Sequence, residues 1–131
     1  MIAAGTLVLP MPAGMTASAQ PALGYYTRDQ AESGAGIYQK QCASCHGQDM
    51  EGYIGPPLRG HAFQVIANRQ GTADRLLLII SRNEPQNNPG SLSDEEDGAV
   101  MAFILQQNGY PAGNVRLSAG SPNLRDLPLD R

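Results

Sequence analysis

Apolar residues recur at helical spacing in three stretches of this chain, each opened by a recognisable start signal. Thr27-Arg28-Asp29-Gln30 has the form of a capping box and predicts a helix running to about Gln41, directly into Cys42. Within it Gly34, Tyr38 and Cys42 recur every four residues and share one face. A glycine costs about 1 kcal/mol in a helix interior, so Gly34 points to the close approach of a second helix. The next stretch, Thr72 to Ser81 (TADRLLLIIS), predicts a compact helix capped by Thr72 and carrying Leu76, Leu77, Ile79 and Ile80. The third begins with Ser93-Asp94-Glu95-Glu96, a second capping box, and continues through Val100, Phe103 and Ile104 to Gly109, a natural terminating residue. The acidic run Asp94 to Asp97 therefore reads as helix-start chemistry, favoured by the helix dipole, and not as a patch for a partner.

Between these stretches, Gly47 to Arg69 is rich in breakers (Gly52, Gly55-Pro56-Pro57, Gly60) and is expected to be loop, with Gly55 and Gly60 in simple turn roles. Arg82 to Leu92 reads as a polar loop, and from Pro111 onward the chain lacks periodicity. An extended tail along the surface, about residues 111–131, is expected there. These elements describe an all-α chain of three to four short helices.

Residues 1–19 stand apart. Met1 to Ala19 contains no charge, Ile2 to Leu9 is a short apolar run, and Ala17-Ser18-Ala19 resembles a small-residue cleavage site. This predicts an exported protein with a leader over 1–19 and one mature domain over 20–131; a Pro- and Met-containing tail is the alternative. Only 5% of the residues are aromatic and there is no Trp, so side chains alone make a modest core. Net charge is −3 and Lys40 is the only lysine, which excludes a polybasic surface for nucleic acid. No apolar stretch approaches the roughly 20 residues of a membrane span.

The decisive chemistry is Cys42-Ala43-Ser44-Cys45-His46, which contains both cysteines and one of the two histidines in the chain. Cys-x-x-Cys-His is the attachment signature of a c-type haem. Two thiols within one turn can reach the two vinyl edges of the porphyrin, and the following imidazole falls under the iron. A zinc site would need four ligands, and only His61 remains as a good further one. A redox dithiol usually opens a helix inside a βαβ unit, and no strand pattern stands here. One covalent haem c, bound by Cys42 and Cys45 with His46 as proximal ligand, is the expectation. It agrees with export, because such attachment takes place outside the cytoplasm.

Several separated segments add to that motif: the Gly34/Tyr38/Cys42 face, Gly47 after His46, Gly55-Pro56-Pro57-Leu58-x-Gly60-x-x-Phe63, Pro89-Gly90-Ser91-Leu92-Ser93, and Gln107-Asn108-Gly109-Tyr110-Pro111. Together they resemble class I cytochromes c, in particular the small subunits associated with periplasmic quinoprotein-type alcohol dehydrogenases. The resemblance implies a cytochrome c fold wrapped around one haem. It implies that Gly34 and Tyr38 meet Val100 and Phe103, that the Pro56 carbonyl accepts a hydrogen bond from His46, and that Leu58 packs on the proximal haem face. It also implies a periplasmic one-electron carrier, with a dehydrogenase as donor and a cytochrome or oxidase as acceptor.

One position departs from that pattern. The family places a methionine, the distal iron ligand, where this chain has Glu84, in Glu84-Pro85-Gln86-Asn87-Asn88-Pro89-Gly90-Ser91. Met50 lies too soon after His46 to cross the ring, Met101 reads as core, and His61 is a minor candidate nearer the haem edge. Either Glu84 binds the iron or the distal position is open or holds water. An open site would suit a ligand-binding or weakly peroxidase-like haem protein; otherwise no nucleophile or acid–base constellation suggests an enzyme.

Overall fold

The computed structural model describes residues 24–121 and 124–130; the leader expected over 1–19 lies outside them. Five α-helices follow one another: α1 (Arg28–Gln41), α2 (Ala43–His46), α3 (Gly60–Gln70), α4 (Ala73–Asn83) and α5 (Asp94–Gln107), with a 3-10 turn at Leu124–Asp126. Among the described residues β-pairing is limited to two isolated bridges, Tyr26 with Ala112 and Thr72 with Pro128. No helix of the described residues is long and apolar enough to cross a membrane.

α5 is the central element. Ser93 caps it with both halves of the capping box in place: Glu96 N–H donates to Ser93 Oγ at 3.2 Å, and Ser93 N–H to Glu96 Oε2 at 2.8 Å. Beyond the first turn it is buried on nearly every side, from Asp97 through Leu105, as a helix at the middle of a fold must be. α1 lies across it. A Cβ on Gly34 would sit 1.8 Å from Ala99 O and 3.0 Å from Phe103 Cβ, so only glycine permits this crossing. The Tyr38 and Phe103 rings meet at 5.6 Å between centroids, tilted by 56°. Phe103 thus holds its expected place, but Ala99 and not Val100 lies under the glycine; Val100 turns into the core.

The capping box expected at α1 is only half formed. Thr27 Oγ1 accepts from Gln30 N–H at 3.3 Å. The Gln30 side chain does not reach back: buried, it donates through Nε2 to Leu117 O and accepts from Leu117 N–H through Oε1. A buried amide is better satisfied by an extended backbone that offers both a donor and an acceptor.

That contact shows what the segment after Pro111 does. It has no helical periodicity, but it does not merely lie on the surface. Leu117, Leu124, Leu127 and Leu129 are all buried. Leu129 N–H donates to Gly71 O at 2.8 Å, Ala73 N–H to Leu127 O at 3.0 Å, and Tyr110 Oη–H to Leu129 O at 2.6 Å. The segment is a strap whose leucines enter the core from irregular backbone and, at Leu124, from the 3-10 turn, a spacing that no helical reading registers.

Two further differences concern helices. The stretch expected as loop contains α3, because Gly60 opens that helix instead of breaking it. Phe63 and Ala67, one turn apart, are its buried residues. α4 runs to Asn83, two residues past Ser81. Thr72 does occupy its N-cap, but its hydroxyl bonds to the Asp74 carboxylate and not to a backbone N–H.

Candidate functional site

The Cys-x-x-Cys-His run is a single helical turn. Cys42 ends α1 with its N–H on Tyr38 O at 2.8 Å, and its own carbonyl accepts from Cys45 N–H at 3.1 Å and His46 N–H at 3.0 Å. Both thiols are free and partly exposed. Burial, then the negative charges of Glu84, Cys45 and Asp97, push the Cys42 thiol up to about 11. A reactive dithiol needs the opposite, a thiolate stabilised near neutral pH, so the burial of Cys42 works against the redox-dithiol reading.

His46 is held from behind. Its ring is buried, and Nδ1–H donates to Pro56 O at 2.8 Å. That bond places the proton on Nδ1 and leaves the Nε2 lone pair for a metal; such an arrangement raises ligand basicity. Gly55, expected only to turn the chain, does more. A Cβ there would sit 2.7 Å from His46 Cε1, so a side chain would displace the ring. The loop carrying Pro56 is tied to the motif by Gly52 N–H on His46 O (2.7 Å) and Gly55 N–H on Cys45 O (2.8 Å). Tyr38 Oη–H reaches Gly47 O at 2.8 Å, and burial pushes that phenol up to about 12, with smaller contributions from Cys42, Glu51 and Asp49. Leu58 is half-buried against the core, and its carbonyl accepts from Asn108 Nδ2 at 2.9 Å, joining the loop to the end of α5.

The other candidates separate. Glu84 leaves the end of α4 half-buried, and its charge is felt at the Cys42 thiol. His61 is exposed on the first turn of α3. Met50 and Met101 are core residues, 2% and 0% exposed. Among the described residues, no group of three or more His, Cys, Asp or Glu side chains is disposed to hold a bare metal ion, so the four-ligand zinc arrangement is not formed. Two free thiols one turn apart, an imidazole with one nitrogen engaged and the other open, and a glycine that makes room for the ring all suit a c-type haem.

Two features escaped the sequence reading. Tyr53 and Ile54, on the loop tied to Cys45 and His46, are 81% and 77% exposed. Asp97, assigned to helix-start chemistry with its acidic neighbours, is only 3% exposed, and its Oδ1 has no hydrogen-bond partner. Burial first, then Asp94 and Glu96, push its carboxyl up to about 6. The signal was present in the spacing: Asp97, Val100, Met101 and Ile104 fall at i, i+3, i+4 and i+7, so Asp97 occupies the first position of the buried stripe.

Comparison with known proteins gives a consistent picture. Residues 29–104 match the family model described as cytochrome c oxidase, cbb3-type, subunit III. The chain is 32% identical over 120 residues to the cbb3-type cytochrome c oxidase subunit CcoP of Rhodobacter capsulatus, covering 79% of this chain and 38% of that subunit, well under half its length. It is 33% identical to cytochrome c-551 of Bacillus subtilis (strain 168), covering 64% of this chain and 69% of that protein. Among solved structures, the sulfane dehydrogenase SoxCD of Paracoccus pantotrophus contains a chain similar in fold, with a TM-score of 0.58 at 21% identity over 95% of this chain and 67% of that one.

Proposed function

This chain belongs to the cytochrome c family, whose cofactor is a covalent c-type haem and whose work is electron transfer, and from that premise we infer a periplasmic one-electron carrier with an atypical distal ligand. Bound at this site, the haem supplies an iron that moves between the ferric and ferrous states. Cys42 and Cys45 would anchor it, and His46 would offer Nε2 to the iron. Pro56 keeps the imidazole in the right tautomer, and Leu58, half-buried against the core, would pack on that side of the haem.

The observation that carries the reading is the His46 Nδ1–Pro56 O bond at 2.8 Å beside two free thiols one turn away. Glu84 is the proposed distal ligand. What supports it is its half-buried place at the end of α4 and the action of its charge on the Cys42 thiol. A carboxylate is a hard anionic ligand and favours ferric iron, so the potential should lie below that of a thioether-ligated relative.

The donor is proposed to be a dehydrogenase, of the alcohol-oxidising quinoprotein kind that the sequence pattern suggests, and the acceptor a cytochrome or oxidase. Contact is expected to be small and transient, around Tyr53 and Ile54 beside the attachment turn. Export is supported by the charge-free first 19 residues and by the requirement of haem attachment for an extracytoplasmic setting.

The optical spectrum of the purified ferric protein tests this. A six-coordinate ferric spectrum with the high-spin character of a weak-field carboxylate, reversible through one-electron reduction and altered in Glu84→Gln, is the expected result. Iron whose spectrum is unchanged in Glu84→Gln and that binds cyanide as readily as in that variant would overturn the distal assignment and identify a ligand-binding haem protein.

A further inference from the structure

Resting on the haem-carrier reading, we propose that Tyr38 is a positioning residue for the proximal ligand. With its backbone carbonyl and its side-chain hydroxyl it brackets the attachment run at both ends, and so sets the plane in which the His46 imidazole meets the iron.

The argument starts from two bonds made by one residue. Tyr38 O accepts from Cys42 N–H at 2.8 Å, where the run begins, and Tyr38 Oη–H donates to Gly47 O at 2.8 Å, immediately after the run ends. The first is an ordinary helix-end bond that any residue would make. The second needs a phenol. Phenylalanine would keep the ring and the helix crossing and lose this bond, so the hydroxyl has a duty that packing does not explain. Burial pushes the phenol up to about 12, and it therefore remains a donor at neutral pH and well above it.

The hydroxyl is aimed and not free to swing. Tyr38 is fully buried, its ring rests on Phe103 with 5.6 Å between centroids, and α1 is seated one turn earlier where Gly34 meets Ala99 O. If Gly47 O moved away, a buried donor would lose its partner, which is costly. The other side-chain bond from α1 into this loop, Gln39 Nε2–H to Gln48 O at 3.0 Å, is exposed, and water can take its place.

What the hydroxyl holds is the entry to a short circuit around the imidazole. Gly47 turns the chain with a φ of +87°, and its N–H closes the attachment turn on Ala43 O at 2.8 Å. Its carbonyl takes a second, longer bond from Met50 N–H at 3.2 Å. The loop then passes Gly52, whose N–H returns to His46 O at 2.7 Å, and reaches Pro56, whose carbonyl accepts from His46 Nδ1–H at 2.8 Å. Where Gly47 leaves the turn thus decides where Pro56 arrives. Without the hydroxyl the loop shifts, and the Pro56 bond lengthens or tilts with it. That bond makes the imidazole more basic, and a more basic imidazole stabilises the more highly charged ferric iron. Loosening it favours the ferrous state.

The test compares three haem-loaded proteins: the wild type, Tyr38→Phe, and Tyr26→Phe as a matched control. Tyr26 is also buried and its hydroxyl donates to Tyr110 O at 2.7 Å, so its variant loses a bond of the same kind, but where the segment before α1 meets the strap. Covalent haem is quantified first; its absence from the wild type would overturn this proposal together with the carrier reading, whereas haem in place separates the two. The hyperfine-shifted haem-methyl resonances of the ferric protein follow the orientation of the axial imidazole plane. Their pattern should change in Tyr38→Phe and keep the wild-type order in Tyr26→Phe. At one fixed applied potential, the ratio of reduced to oxidised protein should rise several-fold in Tyr38→Phe and stay at the wild-type value in Tyr26→Phe. Loss of covalent haem from Tyr38→Phe alone would also support the proposal, because the run is then no longer held in place. A merely structural hydroxyl would lower the melting temperature in both variants and move neither signal. The proposal is overturned if the methyl pattern of Tyr38→Phe matches the wild type, if its ratio is unchanged or falls, or if Tyr26→Phe alters both signals as far.

Discussion

Replacing both Cys42 and Cys45 with alanine should abolish covalent haem and leave little folded protein. The sequence has 5% aromatic residues and no Trp, and the buried residues of the helices are largely alanine, leucine and isoleucine. The haem is then the largest apolar body available to this fold, and its covalent tether keeps it in place through every local opening. Cys42 itself packs on the core at the end of α1, the helix that crosses α5 at Gly34. Without the tether, the turn carrying His46 is held by the Pro56 loop, by its own helical bonds and by the Tyr38 hydroxyl on Gly47 O, none of which fills the space of the haem. Circular dichroism of the double variant should show most of the native helicity lost, and no haem should remain with the chain after denaturation. A compact variant with native helicity would show that the polypeptide core suffices alone.

Glu84→Met has the other large expected effect. If residue 84 faces the iron, this change puts a neutral thioether where related cytochromes carry theirs. Removing one negative charge at about 4 Å, through an effective dielectric near 20, is worth roughly 4 kcal/mol, on the order of 0.2 V for one electron. The potential should rise by about that amount, since a thioether also suits ferrous iron. The ferric spectrum should gain the sulfur-to-iron absorption band of methionine ligation. The Cys42 thiol loses the largest of the charges that push it up, which should make that cysteine no harder to modify during haem attachment. An unchanged spectrum and potential would mean that residue 84 points away from the iron.

Much of the architecture was legible because local chemistry and global packing agree. Ser93 and Glu96 form the reciprocal bonds that their spacing implies, and Gly34 sits where α5 crosses, because a helix tolerates an interior glycine when the space is used. The misreadings have a common origin in residues whose partners are distant in sequence. Gln30 has the right spacing for a capping box, but Leu117 offers its amide two backbone bonds from 87 residues away. Gly60 looks like a breaker until Phe63 and Ala67 are seen packed on the core. The strap after Tyr110 is anchored by Gly71 and Ala73, which local pattern cannot reveal.

The site follows the same division. Cys42, Cys45 and His46 are contiguous, so their chemistry can be read directly. The resemblance named Pro56, and the structure brings its carbonyl to Nδ1. The special duty of Gly55 depends on the position of a ring nine residues earlier, and Asp97 was hidden among acidic neighbours that do serve the helix start. Only its phase along α5, in step with Val100 and Met101, distinguishes it.

The measurement that bears most directly on this account is a pyridine haemochrome spectrum of the purified protein after acid extraction with organic solvent, with the intact mass determined in parallel. The expected result is haem that stays with the polypeptide, an α-band of the position given by two saturated thioether-linked side chains, and a mass increase of one haem per chain. An extractable pigment, or a chain with the mass of the bare polypeptide and two titratable thiols, would contradict it.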